Sequence, residues 1–251
     1  KYINGLTETE MMRYIKGLEV KDFSLTNGMI PLGSCTMKQN TAFTLGGLSN
    51  KKLMNTHPYE PQEFNKGTQF IIDDLSNKLI NLTGMDGINF QSSSGAMGEY
   101  NGLLTIKKYL ASNNMKNLNN TSEFKNIYYC LIPESAHGTN FASAQLAGYQ
   151  ILKIKNKTNG YIDFNDLLHK IEKIEILNDN NINNYERHKL GCLMITYPST
   201  FGFFDENVLD IIEVIHKNNG QVYLDGANMN AMTGIIRPGD IGADVCHLNL
   251  H

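Results

Sequence analysis

The sequence predicts an α/β fold, and two patterns carry that reading. Short, uninterrupted apolar runs such as Ile127–Ile132 and Gly191–Thr196 recur along the chain. Segments with helical apolar spacing separate them. A strand that is apolar on both faces suits a mostly parallel sheet covered by helices on each side. The chain has 251 residues, enough to bury a sizeable core, and its 41% hydrophobic and 19% charged content is that of a globular protein.

The elements follow in order. Residues 1–48 form an arm that precedes the alternating pattern, and residues 49–251 form the main domain. In the arm, Thr7 and Glu10 make a capping box for a short helix with Met11, Met12, Tyr14, Ile15 and Leu18 on or near one face. The segment Met29-Ile-Pro-Leu-Gly-Ser-Cys-Thr-Met-Lys38 reads as an ordered loop. A helix carrying Phe70, Ile71, Leu75 and Leu79 is ended by Gly84, a residue free to take the left-handed conformation of a helix stop. A strand at Gly87–Phe90, a Ser/Gly turn and a helix from Ala96 to Leu110 come next. The remaining strands are Ile127–Ile132, Gln150–Ile154, Gly191–Thr196, Gln221–Leu224 and a last apolar run, Val245–Leu250. Between them lie helices within His137–Tyr149, after the cap Asp163 to Leu177, and over Asp205–Lys217. Two Asn-rich stretches, Ser112–Lys125 and Asn178–Lys189, read as surface excursions.

Composition excludes several roles. The formal net charge of -3 gives no electrostatic basis for binding nucleic acid. No apolar run reaches the ~18 residues of a membrane span. The cysteines are scattered without a CxxC pair, and no His stands at metal-ligand spacing, so a metal is not expected. The start at Lys1 and the end at His251, straight after an apolar run, predict a fragment.

Ligands of open α/β sheets bind beyond the carboxyl ends of the strands, which directs attention to four turns. Gln91-Ser-Ser-Ser-Gly-Ala-Met-Gly-Glu99 leads into a helix and could cradle a phosphate, or simply cap the helix with serine. His137, before a helix start, could stack on a flat ligand or bond its own backbone. The hydroxyls of Tyr197-Pro-Ser-Thr200 could meet a ligand oxygen, or the segment is a proline turn. Asp225 ends a buried apolar strand, where a carboxylate is costly without a cationic partner; otherwise it caps the next turn. A phosphate cradle, a ring stacker, hydroxyls and a carboxylate for a ring N–H together describe pyridoxal 5′-phosphate. No Lys follows Lys217, so the lysine expected to bond that cofactor would lie beyond the chain end.

These residues resemble the pyridoxal-phosphate subunit of the glycine cleavage system, the glycine decarboxylase family. The resemblance rests on the Met29–Lys38 segment, Ser94-Gly-Ala96, Ser135-Ala-His-Gly-Thr-Asn140, Thr196-Tyr-Pro-Ser-Thr200, Val222-Tyr-Leu-Asp-Gly-Ala-Asn-Met-Asn-Ala231 and Gly239-Asp-Ile-Gly-Ala-Asp-Val-Cys-His-Leu-Asn-Leu-His251. It implies the large domain of a fold-type-I pyridoxal-phosphate-dependent transferase, truncated before the cofactor lysine and the C-terminal small domain. It further implies that glycine is decarboxylated as its imine with the cofactor, and that the aminomethyl group passes to the lipoyl arm of a carrier protein (the H protein).

Residue roles implied by the resemblance are these. Ser94, Gly95 and Ala96 hold the phosphate, with His251 near it. His137 stacks on the ring, Ala227 packs on its other face, and Asp225 keeps the ring nitrogen protonated. Thr200 bonds the phenolic oxygen or the imine region. His57 is a substrate-side residue or an ordinary loop histidine. The cradle departs from the family pattern at Ser92, Ser93 and Met97, and Phe201 stands where the family has His. The resemblance also implies a homodimer or pairing with an N-terminal half, located in the mitochondrial matrix of a eukaryote or the cytoplasm of a bacterium. Alternatives are another fold-type-I decarboxylase or desulfurase, and a lysine-less non-catalytic partner.

Overall fold

The structure, a computed structural model, describes residues 5–23, 27–28, 42–57, 59–117, 125–179 and 186–250. The Met29–Lys38 loop and His251 lie outside these described residues. The chain divides into two compact units, which meet at Asn65 and Lys66 along the sequence.

Among the described residues, the first unit holds three helices, α1 (Glu8–Glu19), α2 (Ala42–Leu48) and α3 (Lys51–Met54), followed by a 3-10 turn at Gln62–Phe64. The capping box of α1 is formed as expected: Thr7 Oγ1 accepts from the Glu10 N–H, and Glu10 Oε2 accepts from the Thr7 N–H at 2.8 Å. Its apolar residues Met12, Tyr14, Ile15 and Leu18 are exposed.

The second unit runs α4 (Lys66–Thr83), α5 (Gly95–Asn117), β1 (Lys125–Pro133), α6 (Gly138–Leu146), β2 (Gln150–Ile154), α7 (Phe164–Asp179), β3 (Glu186–Thr196), α8 (Val208–Lys217), β4 (Gln221–Gly226), α9 (Met229–Met232) and β5 (Val245–Leu248). The five strands make one wholly parallel sheet in the order β2-β1-β3-β4-β5. Side chains alternate across it. Leu131, Leu193, Ile195, Val222 and Leu224 join one core with Leu167 and Ile171 of α7 and Ile211 and Ile215 of α8. Cys130, Ile132, Cys192, Met194 and Tyr223 join the other with Leu103 and Ile106 of α5 and Ala144 of α6. Both faces are covered, which explains why the strands read as continuous apolar runs.

One expected strand is absent. Gly87–Phe90 pairs with nothing among the described residues, and Phe90 is exposed. Asn89 Oδ1 accepts from the Gln91 N–H at 2.7 Å, a local turn that takes the backbone donor a ladder would need. Gly84 does end α4, with φ of 68°.

The strand order places the switch point between β1 and β3, since β2 is added on one side of β1 and the later strands on the other. The turns after β1, β3 and β4 therefore open on one edge of the sheet. The N-terminus of α5 joins them there, because it packs beside β5: a side chain at Gly95 would meet the His247 ring at 3.7 Å and Asn249.

Candidate active site

Asp225 is the penultimate residue of β4 and is buried, at 3% exposure. Its Oδ2 accepts from the Asn140 amide at 3.1 Å, and its Oδ1 accepts from the Ala227 N–H at 3.0 Å. His247 Nε2 faces Oδ1 at 3.2 Å and is the only ion-pair partner of Asp225 among the described residues. A carboxylate offers about four acceptor directions. One direction on each oxygen is taken by a hydrogen bond and His247 Nε2 lies against Oδ1, which leaves a direction on Oδ2 unfilled. The Ala227 bond is the turn cap that the sequence left as an alternative, so Asp225 caps the turn.

Around this carboxylate lies a connected polar network. Tyr223 O–H pairs with His247 Nδ1 at 2.8 Å. Burial, followed by the charges of Asp225 and Glu99, pushes the Tyr223 phenol well above its ordinary range and keeps it neutral. Glu99 is also buried; its Oε1 accepts from the Thr139 hydroxyl at 3.1 Å. Glu99, Asp225 and His247 bring one ligand atom each within 4.8 Å of one another. That donor set could ligate a divalent ion, but the imidazole nitrogen is already turned to Asp225.

His137 caps α6 and is exposed. Its Nδ1 lies 2.6 Å from Thr139 Oγ1 and accepts from the Thr139 N–H at 3.2 Å. The loop-histidine alternative thus describes its backbone bond, while the ring itself remains open to a ligand. Through Thr139 it connects to Glu99, and from the same first turn of the helix Asn140 reaches Asp225.

Ser94 Oγ accepts from the Met97 N–H at 3.2 Å, so the serine cap of α5 is real. The cap uses one of the free N–H groups at the helix start and leaves others for an anion. Thr200 Oγ1 donates to the Ser135 carbonyl at 2.6 Å, tying the turns after β3 and β1 together. Its proton is committed there, which leaves the oxygen as an acceptor. Ala227 is exposed just beyond Asp225. His57 belongs to the first unit, where its Nδ1 accepts from the Tyr59 N–H at 3.1 Å.

Ser94, Gly95, Ala96, His137, Thr200, Asp225 and Ala227 therefore all sit on turns, helix starts or a strand end at the carboxyl edge of one sheet. Sequence reasoning missed Glu99, Asn140, Tyr223 and His247 as parts of the network. The available signal was polarity in apolar surroundings: Tyr223 and His247 fall within strand-like runs, and Glu99 and Asn140 within helix starts. Three buried atoms, Glu99 Oε2, Asn140 Oδ1 and Thr196 Oγ1, have no hydrogen-bond partner among the described residues. Unsatisfied buried polar atoms are rare, and here they cluster on the ligand-facing edge. With an unfilled acceptor direction on Asp225 and a helix N-terminus beside it, the residues fit an anionic ligand bearing a protonated ring nitrogen.

No family model matches the chain. Individual proteins do. Over 245 residues, 98% of this chain, it is 49% identical to glycine dehydrogenase (decarboxylating), mitochondrial, of Gallus gallus. It is also 49% identical over 245 residues to glycine dehydrogenase (decarboxylating) of Shewanella loihica. The chain spans less than a quarter of these relatives, 22% and 23% of their lengths. Among solved structures, mouse CSAD in its apo form superposes with a TM-score of 0.52 at 16% identity, over 74% of this chain and 37% of that one. The SepCysS–SepCysE N-terminal domain complex gives a TM-score of 0.50 at 15% identity, over 70% and 40%. These two show the fold. At this level of identity along nearly its whole length, the chain is similar to one segment of the glycine dehydrogenase (decarboxylating) proteins.

Proposed function

We propose that this chain supplies the cofactor-facing part of a pyridoxal-phosphate-dependent enzyme that decarboxylates glycine and passes its aminomethyl group to the lipoyl disulfide of a carrier protein. The observation that carries the reading is Asp225. It is a buried carboxylate with neutral donors, one imidazole and no Lys or Arg partner among the described residues. Such a group needs a cation, and the open direction on Oδ2 suits a ring N–H.

Pyridoxal phosphate, when bound, supplies a conjugated ring that takes up the electron pair released as CO2 leaves. Asp225 would keep the proton on the ring nitrogen. His137 and Ala227 would hold the two ring faces, which orients the scissile bond. Ser94, Gly95 and Ala96 would take the phosphate through the N–H groups and dipole of the 23-residue helix α5. Thr200 would meet the phenolic oxygen after turning its hydroxyl from Ser135. His57 is assigned to the substrate side and His251 to the phosphate. Residues 1–48 are assigned as an arm of the cofactor domain, and the intact protein as a dimer or a paired assembly. It would work in the mitochondrial matrix of a eukaryote, as the name of the Gallus gallus relative suggests, or in the cytoplasm of a bacterium.

The test uses the intact protein that contains this segment. Carboxyl-labelled glycine, pyridoxal phosphate and an oxidised lipoylated carrier are expected to release labelled CO2. Absence of release from glycine, with release from another amino acid such as cysteine sulfinate or glutamate, would overturn the glycine assignment.

A further inference from the structure

The carboxylate of Asp225 can work on a ring nitrogen only if its plane is fixed, and His247 has the geometry to fix it. His247 projects from β5, the strand beside β4, with its partner Asp225 in register. Its side chain is 9% exposed, and that of Asp225 5%. An ionised carboxylate only accepts, so the nitrogen facing it, Nε2, carries the hydrogen. In the neutral ring, Nδ1 then accepts a hydrogen bond from the Tyr223 O–H at 2.8 Å. Tyr223 thus holds one side of the imidazole while Nε2 faces Asp225 Oδ1 at 3.2 Å.

The helix opposite is built to admit this ring. A Cβ at Gly98 would stand 3.0 Å from His247 Cβ, and one at Gly95 3.7 Å from Nε2. One turn further on, a Cβ at Gly102 would collide with the Tyr223 ring. Three glycines of α5 thus line the Tyr223–His247 pair.

We infer that His247, backed by Tyr223, is a positioning residue that holds the Asp225 carboxylate and leaves one acceptor direction on Oδ2 for the cofactor nitrogen. The inference rests on the proposed function for its cofactor, and on the pairing alone for its geometry. His247 Nε2 stands 3.2 Å from Oδ1 and Asn140 donates to Oδ2, so turning the carboxylate carries Oδ1 away from the imidazole or breaks the Asn140 bond. Ligand-orienting partners of this kind commonly change affinity by about 10–100-fold in metal sites, and a similar scale is expected here.

The test compares His247→Leu, His247→Gln and Tyr223→Phe in the intact protein, by equilibrium dialysis of pyridoxal phosphate and the visible band of the bound cofactor. His247→Leu is expected to weaken binding about tenfold or more and to displace the band. His247→Gln keeps an N–H toward Asp225 and is expected to recover most of both, and Tyr223→Phe to fall between. Wild-type affinity and band in His247→Leu would overturn the role; so would equal losses in Leu and Gln, the mark of a space-filling ring. A cofactor-free arm measures melting temperatures of His247→Leu, Asp225→Asn and the double variant. Coupling predicts a double loss smaller than the sum of the singles, and additivity would overturn the pairing. Failure of the wild-type protein to bind pyridoxal phosphate would sink the proposed function, while the cofactor-free arm still decides the pairing.

Discussion

Asn140 and Asp225 lie 85 positions apart in the chain and are joined by a 3.1 Å hydrogen bond, buried at both ends. It links the first turn of α6 to the end of β4, so the helix that presents His137 is anchored to the carboxylate it is meant to work with. Asn140→Leu would leave Oδ2 without its donor. Leaving a buried acceptor unpaired costs about 1–3 kcal/mol, more for a charged group. Urea denaturation should show a loss of that size, and a change below ~0.5 kcal/mol would contradict the importance of the bond.

Asp225→Asn tests the charge rather than the contact. The amide keeps the shape but cannot stabilise a protonated ring nitrogen. Glycine decarboxylation should fall by about two orders of magnitude or more, the scale of losing one preorganised electrostatic contact. The cofactor's visible band should show that it is still bound. Wild-type turnover in this variant would remove Asp225 from the proposed role.

Gly102→Ala should destabilise the fold, since the new methyl would strike the Tyr223 ring and Val245 Cγ1, both packed under α5. Overpacking of this kind costs about 1–3 kcal/mol. Thermal melting of the variant, set beside Gly17→Ala, whose Cβ would meet nothing within 4 Å, separates the clash from helix propensity.

On α8 the two sides of the helix should respond differently. Ile211 is fully buried, and Ile211→Ala is expected to cost about 2–5 kcal/mol. Leu209 is 58% exposed, so Leu209→Ala should stay within about 0.5 kcal/mol. Equal losses at the two positions would contradict the packing of α8.

The Cys246 thiol is pushed up to about 11 by burial. A raised folded value means that the unfolded chain ionises first as pH rises. The stability this group contributes is present below about pH 9 and is lost as pH climbs through 11. Alkylation by iodoacetamide at pH 8 should be slow for Cys246 in the folded protein and fast in urea, with the modified residues read by mass spectrometry. Rapid labelling of folded Cys246 would contradict it.

Much of this was legible in the chain. Ile127–Ile132 and Gly191–Thr196 read as buried strands because both faces carry apolar side chains, and both are central in the sheet. Their observed ends extend further, to Lys125 and Glu186, where polar residues continue the ladder without burial. Gly87–Phe90 misled because apolarity does not supply a partner strand; Asn89 bends the backbone locally instead. At the site, Ser94, His137, Thr200 and Asp225 were visible because each follows a strand or opens a helix. Glu99, Asn140, Tyr223 and His247 were not singled out, since each looks like an ordinary helix or strand residue until the sheet is assembled.

The sequence by itself determined the α/β class, the strand runs and the turns that carry the chemistry, because hydrophobic period and capping residues are local properties. It also carried the resemblance to the glycine decarboxylase family, through ordered motifs along the chain. Tertiary structure alone decided that β4 and β5 are neighbours, that His247 therefore meets Asp225, and that the glycines of α5 make room for the ring. Those facts depend on strand register and on the approach of a helix from a distant part of the chain, and no local pattern encodes either.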